Sequence, residues 1–377
     1  MVINELETVT KDPTCGMSVD EASTLFSDNI KTFTEGDRLY DAMLQNIYSA
    51  KREILIESYI FNLDPIGEAF IIALNHKAAE GLLIKIHLDA VGSRHFKQGP
   101  SFKKHLHRNI SLKWFNRWNW KKPLEFNVRN HRKLLIIDRE TVFVGGYNIH
   151  SQSSRKYFGM PRWRDTHIMV KSDAVQIFSR YFEVLWNSRQ HNYLGPLGGL
   201  DVIPNISRKC RYILRCRLNT LLDMAQEQIL CTTPYFVPDE FILKGLIRAA
   251  NRGVDARLLV PYESDHPMIN ALAVNYYHRL VKAGIKVFAY QHRLIHAKTL
   301  VIDSNTAMIG SANMDYRSLF INHELMCIFS SPSLAKIFKD IFFEDCATAL
   351  LTTSKTKFNI KSWWLWRPLA SLLKHWI

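Results

Sequence analysis

The sequence predicts an α/β protein built from two copies of one α/β/α sandwich domain, packed with pseudo-two-fold symmetry. Three observations lead there. A short pattern occurs twice: His131-Arg132-Lys133, then Asp138, then Gly145-Gly146-Tyr147-Asn148, and again His296-Ala297-Lys298, then Asp303, then Gly310-Ser311-Ala312-Asn313. In both copies Lys is two residues after His, Asp is seven after it and the first Gly fourteen after it (145−131 and 310−296). Second, a strand–helix–Gly–strand passage also occurs twice. Third, the copies lie 165 residues apart (296−131), which is too long for a stacked repeat and fits duplication of a whole domain.

In chain order, residues 1–34 lack clear periodicity and read as an N-terminal extension. Residues 35–190 form the first domain. In it Glu53 to Phe61 is apolar and strand-like, a helical stretch runs through Ala79, Gly81 stops it, and Leu83 to Asp89 is the next strand. Residues 191–206 concentrate Gly195-Pro196, Gly198-Gly199 and Pro204, and read as a linker. Residues 207–352 repeat the plan: Gln228 to Phe236, a helix through Ala250, Gly253, then Ala256 to Val260. Each passage is a βαβ unit, for which parallel strands and a right-handed crossover are the default. A helix, a strand, the His-Lys-Asp strand, a Gly-turn strand and a last helix follow in both halves. Residues 353–377 are a basic, Trp-rich tail.

The composition bounds the function. Lys and Arg outnumber Asp and Glu by 49 to 35, a formal charge of +14, so polyanions are the natural partners: nucleic acid, anionic lipid or phosphorylated molecules. With 47% hydrophobic residues the chain can bury large cores. No apolar run reaches the ~18 residues needed to span a bilayer, and the first residues do not resemble a secretory signal. The six cysteines form no C-x-x-C pair, which favours reduced thiols in a cytosolic setting.

Residues two apart on a strand share a face, so each His is expected to point with its Lys. Asp138 and Asp303 fall an odd number further on and are placed to buttress the strand rather than react. One such pair on a strand is an ordinary surface feature; two with matched Gly and Asn positions point to one active site assembled from both halves.

These motifs resemble the phospholipase D superfamily, whose signature is His-x-Lys-(x)4-Asp followed by a Gly-rich turn and Asn; the resemblance runs from about Asp37 to Thr352. Thr233-Pro234-Tyr235-Phe236-Val237-Pro238-Asp239, Asn130-His131-Arg132-Lys133, Trp163-Arg164-Asp165-Thr166-His167 and Asp315-Tyr316-Arg317-Ser318 narrow it to bacterial cardiolipin synthases, of the short type that starts without transmembrane helices. The resemblance implies a phosphatidyltransferase that moves a phosphatidyl group onto phosphatidylglycerol, with phosphatidylethanolamine a further possible lipid substrate. It implies a protein peripheral to the cytoplasmic face of the inner membrane. One imidazole would attack phosphorus to give a phosphohistidine and the other would handle the proton. Lys133, Lys298, Asn148 and Asn313 would hold the non-bridging oxygens. Asp165 and Glu324 are expected to orient the histidine of their own repeat; the alternative for Asp165 is an ion pair with Arg162 or Arg164. A symmetric motif does not say which His attacks; family habit favours His131. No metal or nucleotide motif is present, so no cofactor is expected. A hydrolytic phospholipase D, a nuclease and a catalytically dead membrane-binding protein are the other readings; nucleic acid is not the expected partner.

Seven of nine Trp fall in two places, Trp114, Trp118 and Trp120, then Trp363, Trp364, Trp366 and Trp376. Beside Lys and Arg they suit an anchor at the headgroup level of an anionic membrane; core packing is the plainer reading, and stacking on single-stranded nucleic acid is a third. His105, His107, His266 and His292 are read as bystanders.

Overall fold

The computed structural model describes residues 29–98, 106–121, 123–188, 193–353 and 356. The Trp-rich tail, His105 and residues 1–28 of the extension lie outside them.

The first half supplies strands β1 (Ile30–Phe33), β2 (Glu53–Ser58), β3 (Leu83–Asp89), β4 (Ile110–Phe115), β5 (Leu134–Ile137), β6 (Thr141–Gly145) and β7 (His167–Lys171), in the sheet order β1-β7-β6-β5-β2-β3-β4. The second half supplies β8 (Leu200–Ile203), β9 (Gln228–Thr232), β10 (Phe236–Val237), β11 (Asp255–Pro261), β12 (Lys286–Tyr290), β13 (Thr299–Ile302), β14 (Thr306–Gly310), β15 (Met314–Asp315), β16 (Met326–Ser330) and β17 (Ala349–Leu351). Its large sheet runs β17-β12-β11-β9-β13-β14-β16-β8, and β10 pairs with β15 apart from it. Leaving out β17, the second order is the first one read backwards, strand for strand: the domain is duplicated.

That match revises two expected boundaries. Ile30–Phe33, placed in the extension, is the edge strand antiparallel to β7, and Leu200–Ile203, placed in the linker, is its counterpart antiparallel to β16. The sheets are also mixed. β2, β3 and β4 are parallel, as are β9, β11 and β12, but β5 and β13 run antiparallel to β2 and β9. The βαβ default therefore holds only for the first strands of each half.

Local chemistry explains the shared plan. In the crossover helix Pro65–Ala79, Asp64 accepts from the N–H groups of Ile66 and Gly67 and Pro sits in the first turn; in Glu240–Asn251, Asp239 accepts from the Ile242 N–H. Both chains then turn through a left-handed glycine, Gly81 (φ 93°) and Gly253 (φ 91°). One apolar core fills the outer side of each sheet. A third is shared: Leu134, Ile136, Val144 and Ile168 of the first sheet join Val301, Ile309, Leu325 and Phe329 of the second, with helices Val175–Trp186 and Pro332–Cys346 completing it. Burial of apolar surface from both halves in that common core fuses them into one body. A buried bidentate pair, Arg164 Nε and Nη2 to Asp345 (3.0 and 2.6 Å), and Arg293 to Glu35 (3.1 Å) tie the halves further. Arg162 also binds Glu35, so neither arginine offered as a partner for Asp165 pairs with that carboxylate.

The predicted buttress is present twice. Asp138 accepts the backbone N–H groups of Lys51, Arg52 and Glu53 (2.7 to 2.9 Å), and Asp303 accepts those of Gln226, Glu227 and Gln228 (2.8 to 3.3 Å). Both aspartates sit at left-handed φ, 54° and 52°, which Asp tolerates better than most residues. Each clamps the end of the motif strand to the start of the central one, and so fixes the register that delivers the histidine. Cys210, Cys231, Cys327 and Cys346 are free thiols. Among the described residues no helix is long and apolar enough to cross a membrane.

Candidate active site

The two His-x-Lys segments lie just before their strands, not on them: β5 begins at Leu134 and β13 at Thr299. Each segment is held instead by a short parallel bridge to the other domain. Asn130 pairs with His323, through His131 N–H to the His323 carbonyl (2.9 Å) and His323 N–H to the Arg129 carbonyl (2.8 Å). Arg164 pairs with Ile295, through Arg164 N–H to the Leu294 carbonyl (2.8 Å) and His296 N–H to the Arg164 carbonyl (2.6 Å). These are strand-like pairings between segments far apart in sequence, and they set one domain's histidine beside the other domain's acid.

The acids are therefore crossed, which corrects the expectation that each serves its own repeat. His131 Nδ1 lies 3.0 Å from both carboxylate oxygens of Glu324. His296 Nδ1 lies 2.6 Å from Asp165 Oδ2. Both carboxylates are fully enclosed, and each is seated by its repeat's Gly turn. A Cβ on Gly146 would stand 1.9 Å from Asp165 Oδ1, so only Gly leaves room. The equivalent residue, Ser311, donates its hydroxyl to Glu324 at 2.5 Å.

Both histidines, Asn148 and Asn313 line one cleft of about 300 Å³, with Tyr59, Trp163, Tyr235, Asp265, Asp315 and Arg317 among its other walls. It opens just beyond the C-terminal ends of β2 and β9, the usual place for a ligand in an open α/β sheet. Tyr59 meets the His131 ring edge-on at 4.9 Å, and Trp163 lies 5.1 Å from the His296 ring. Asn148 Oδ1 accepts the Ile60 N–H, Asn313 Nδ2 donates to Asp315, and Asn313 Oδ1 is buried without a partner. Lys133 and Lys298 are buried beneath the histidines: Lys133 Nζ donates to the His131 carbonyl (2.7 Å), and Lys298 Nζ is 2.7 Å from His296 Nδ1. Of the predicted site residues, Asp138 and Asp303 alone stay out of this cluster, at the far ends of their strands.

Electrostatically the site sets two buried ammonium groups among buried imidazoles and carboxylates. Burial brings Lys133 down to about 7, and the Lys298 ammonium adds to that. Burial likewise brings Lys298 to about 8, with Asp165 opposing. Burial holds His131 down to about 4 against the pull of Glu324, and burial and then Lys298 hold His296 well below the usual imidazole value. Asp165 is raised by burial, and burial raises Asp315 to about 6. A bound phosphodiester anion would favour the protonated forms of these lysines and histidines.

Some cleft residues were not singled out from sequence. His266, read as a bystander, lines the cleft and contacts the Tyr235 ring, and His292 lines an adjoining cavity; His107 stays at the surface. Tyr59, Arg129 and Asp265 carried no motif. The repeat held a signal for one of them: Tyr59-Ile60-Phe61 and Tyr235-Phe236 end equivalent strands, and both tyrosines face a motif histidine.

Two domains of one topology that bring a His–Lys couple each to a single cleft define a phosphoryl-transfer enzyme of the phospholipase D fold. Comparison with solved structures agrees on the fold: phosphatidylserine synthase from Haemophilus influenzae superposes with a TM-score of 0.73, over 94% of this chain and 97% of that one, at 13% identity. Polyphosphate kinase from Porphyromonas gingivalis follows at 0.61, over 92% and 54%, at 14% identity. The family model described as the cardiolipin synthase, PLD-like domain matches residues 43–186 and 218–346. A cardiolipin synthase of Listeria monocytogenes is 32% identical over 94% of this chain and 77% of its own length. Cardiolipin synthase 1 of Staphylococcus epidermidis is 31% identical over 87% and 70%. The chain belongs to the cardiolipin synthase family of phospholipase D-like proteins, and is a phosphatidyltransferase of phospholipid biosynthesis.

Proposed function

We propose that the enzyme makes cardiolipin: it takes a phosphatidyl group from a phospholipid donor and passes it to the free glycerol hydroxyl of phosphatidylglycerol. The observation that carries this is the crossed pair of imidazoles, each backed by a buried carboxylate, over two buried ammonium groups in one cleft.

Glu324 accepts the Nδ1–H of His131, which leaves the Nε2 lone pair free. His131 attacks phosphorus in line, a P–N bond forms, and the P–O bond to the departing alcohol breaks. His296 gives that oxygen its proton. Its Nδ1 sits between Asp165 and the Lys298 ammonium, which can pass a proton to it. In the second step His296 takes the proton of the incoming glycerol hydroxyl. The new oxygen attacks phosphorus and the P–N bond breaks, restoring His131. Lys133, Lys298, Asn148 and Asn313 hold the non-bridging oxygens through both steps. One phosphodiester is exchanged for another, so no nucleotide drives the reaction.

The membrane contact is assigned to the loop after β4. Trp118 is 47% and Trp120 85% exposed, and Arg117 and Lys121 flank them. Indoles beside cations suit the headgroup layer of an anionic bilayer, which supports a peripheral membrane protein; the cytoplasmic face of a bacterial inner membrane is its proposed location. Replacing both Trp with Ala is expected to lower binding to phosphatidylglycerol vesicles by about tenfold or more; equal sedimentation with vesicles removes the loop from this role.

The reaction is tested with labelled phosphatidylglycerol vesicles, with and without phosphatidylethanolamine. Cardiolipin as the main product supports the proposal, and its yield with the added lipid names the donor. Phosphatidic acid alone would make the enzyme a hydrolase, and neither product would refute both.

A further inference from the structure

We infer that Arg129 and Arg317 form a second phosphate position in the cleft, which holds the unreacting phosphodiester of the acceptor phospholipid. The inference rests on the transfer between phospholipids proposed above, and extends it to how the acceptor is chosen.

Transfer of that kind brings two phosphates together. The reacting one belongs to the donor, and the acceptor carries its own, only a three-carbon glycerol away from the attacking hydroxyl. Both must lie in or beside the same cleft. The His–Lys cluster supplies countercharge for one anion. Without more, the second would be repelled by the first.

Among the described residues lining the cleft, Arg129 and Arg317 are the two arginines; Lys133 and Lys298 lie beneath the histidines. They come from opposite domains: Arg129 stands two residues before His131, and Arg317 lies in the helix Tyr316–Phe320. Arg129 is only 4% exposed, and its guanidinium is fixed. It lies on the Phe126 ring at 4.5 Å, and Nη2 donates to the carbonyls of Asn116 and Phe126. Its contact with Asp89 is long, 3.5 Å, while that carboxylate also accepts the N–H groups of Val91, Gly92 and Asn130. Arg129 Nε is buried with no hydrogen-bond partner. Arg317 reaches across the domain boundary to Asn127, with Nη1 to Oδ1 (2.8 Å) and Nη2 to the carbonyl (2.6 Å). These contacts aim the fork. Burial and, more weakly, the neighbouring Arg317 lower the basicity of Arg129 against the pull of Asp89 and Tyr59, and an anion joining the two guanidinium groups would relieve their mutual repulsion. A planar fork with bidentate reach is the usual holder of a phosphodiester.

The test compares two acceptors in one assay. Wild-type enzyme and the variants R317Q, R317K and R129K receive phosphatidylglycerol vesicles plus a phosphate-free alcohol, 1,2-propanediol, and both products are measured. The expected result is a fall in the ratio of cardiolipin to phosphatidylpropanediol by about tenfold or more in R317Q, with partial recovery in R317K. A ratio equal to wild type, whether or not total activity falls, overturns the proposal. Should R317Q not fold, R129K and the wild type decide it. R129K is expected to lower the same ratio. On the wild type, water-soluble glycerophosphoglycerol should inhibit cardiolipin formation at a concentration at least about tenfold lower than glycerol does. Equal inhibition overturns it. Wild type that makes phosphatidylpropanediol but no cardiolipin overturns the second phosphate position and keeps phosphatidyl transfer. Neither product from wild type removes the proposed function, and this inference with it.

Discussion

Glu324→Gln is the change that tests the crossed couples most directly. The carboxylate has no exposed surface and accepts from three groups: His131 Nδ1, Ser311 Oγ and Asn322 Nδ2. Gln keeps its size but puts an NH2 where one oxygen was. If the amide nitrogen faces His131, Nδ1 must become the acceptor, the proton moves to Nε2, and the lone pair aimed at phosphorus is lost. If it faces Ser311, that hydroxyl must turn and accept, giving up its donation to the side chain. Either way His131 loses a charge-assisted hydrogen bond worth about 1.5–3 kcal/mol, which is about ten- to a hundred-fold. Adding the lost tautomer, kcat should fall by about 10²–10⁴. The acid's own domain is not the one that suffers the chemistry, and that gives the assay. A phospholipid with a p-nitrophenyl leaving group needs no proton to depart. On it, H296A and D165N should still release a burst of p-nitrophenolate, because the proton donor has become dispensable. H131A and E324Q should release none, because the nucleophile or its tautomer is gone. Grouping by domain instead, with D165N behaving like H131A and E324Q like H296A, would refute the crossed arrangement.

Three further outcomes follow from the same structure. In G146A the new methyl collides with Asp165 Oδ1, so the carboxylate must leave His296; kcat is expected to fall by about tenfold or more with far-UV circular dichroism unchanged, and full activity would show that the carboxylate has room to spare. D138A removes the acceptor for three backbone N–H groups, so it should cost roughly 2–5 kcal/mol of stability in urea titration, and more than D303A, whose partner groups are more exposed; equal loss would contradict the burial argument. Anion affinity should depend on pH. Lys133 and Lys298 titrate near 7 and 8 when the cleft is empty and rise when an anion binds, so binding takes up protons. A simple phosphodiester such as dimethyl phosphate, whose single charge is constant over this range, should therefore inhibit well below pH 7 and progressively less as pH rises through 7 to 9, read as the inhibition constant; tighter inhibition at higher pH would mean the lysines do not hold the anion.

Much of this was legible because the chemistry is local in sequence. His, Lys, Asp, Gly and Asn keep their spacing in both copies, so the duplication, the cleft residues and the Asp138 and Asp303 clamps could be read directly. The orientation of the acids could not. Asp165 and Glu324 reach their histidines through the pairing of Arg164 with Ile295 and Asn130 with His323, contacts between distant segments that leave no periodicity behind. The edge strands Ile30–Phe33 and Leu200–Ile203 were hidden for a related reason. They are four residues each, and β8 sits among Gly and Pro; its strand state is conferred by the partner it pairs with, not by its own propensity. Arg132 shows the opposite case. It occupies the variable position of its motif, yet is wholly buried and paired with Glu57 at 2.9 Å, on the side of the chain away from His131 and Lys133.

The exchange of carboxylates between the halves means that neither repeat holds a complete His–carboxylate couple of its own. A duplicated protein is ordinarily free to let one copy decay while the other carries the work. On the proposed mechanism a lesion in either copy would disable an imidazole in its twin, so selection would act on both together. Severing the chain between residues 188 and 200 would leave two fragments, each with a histidine that lacks its carboxylate, and activity could return only when they reassociate.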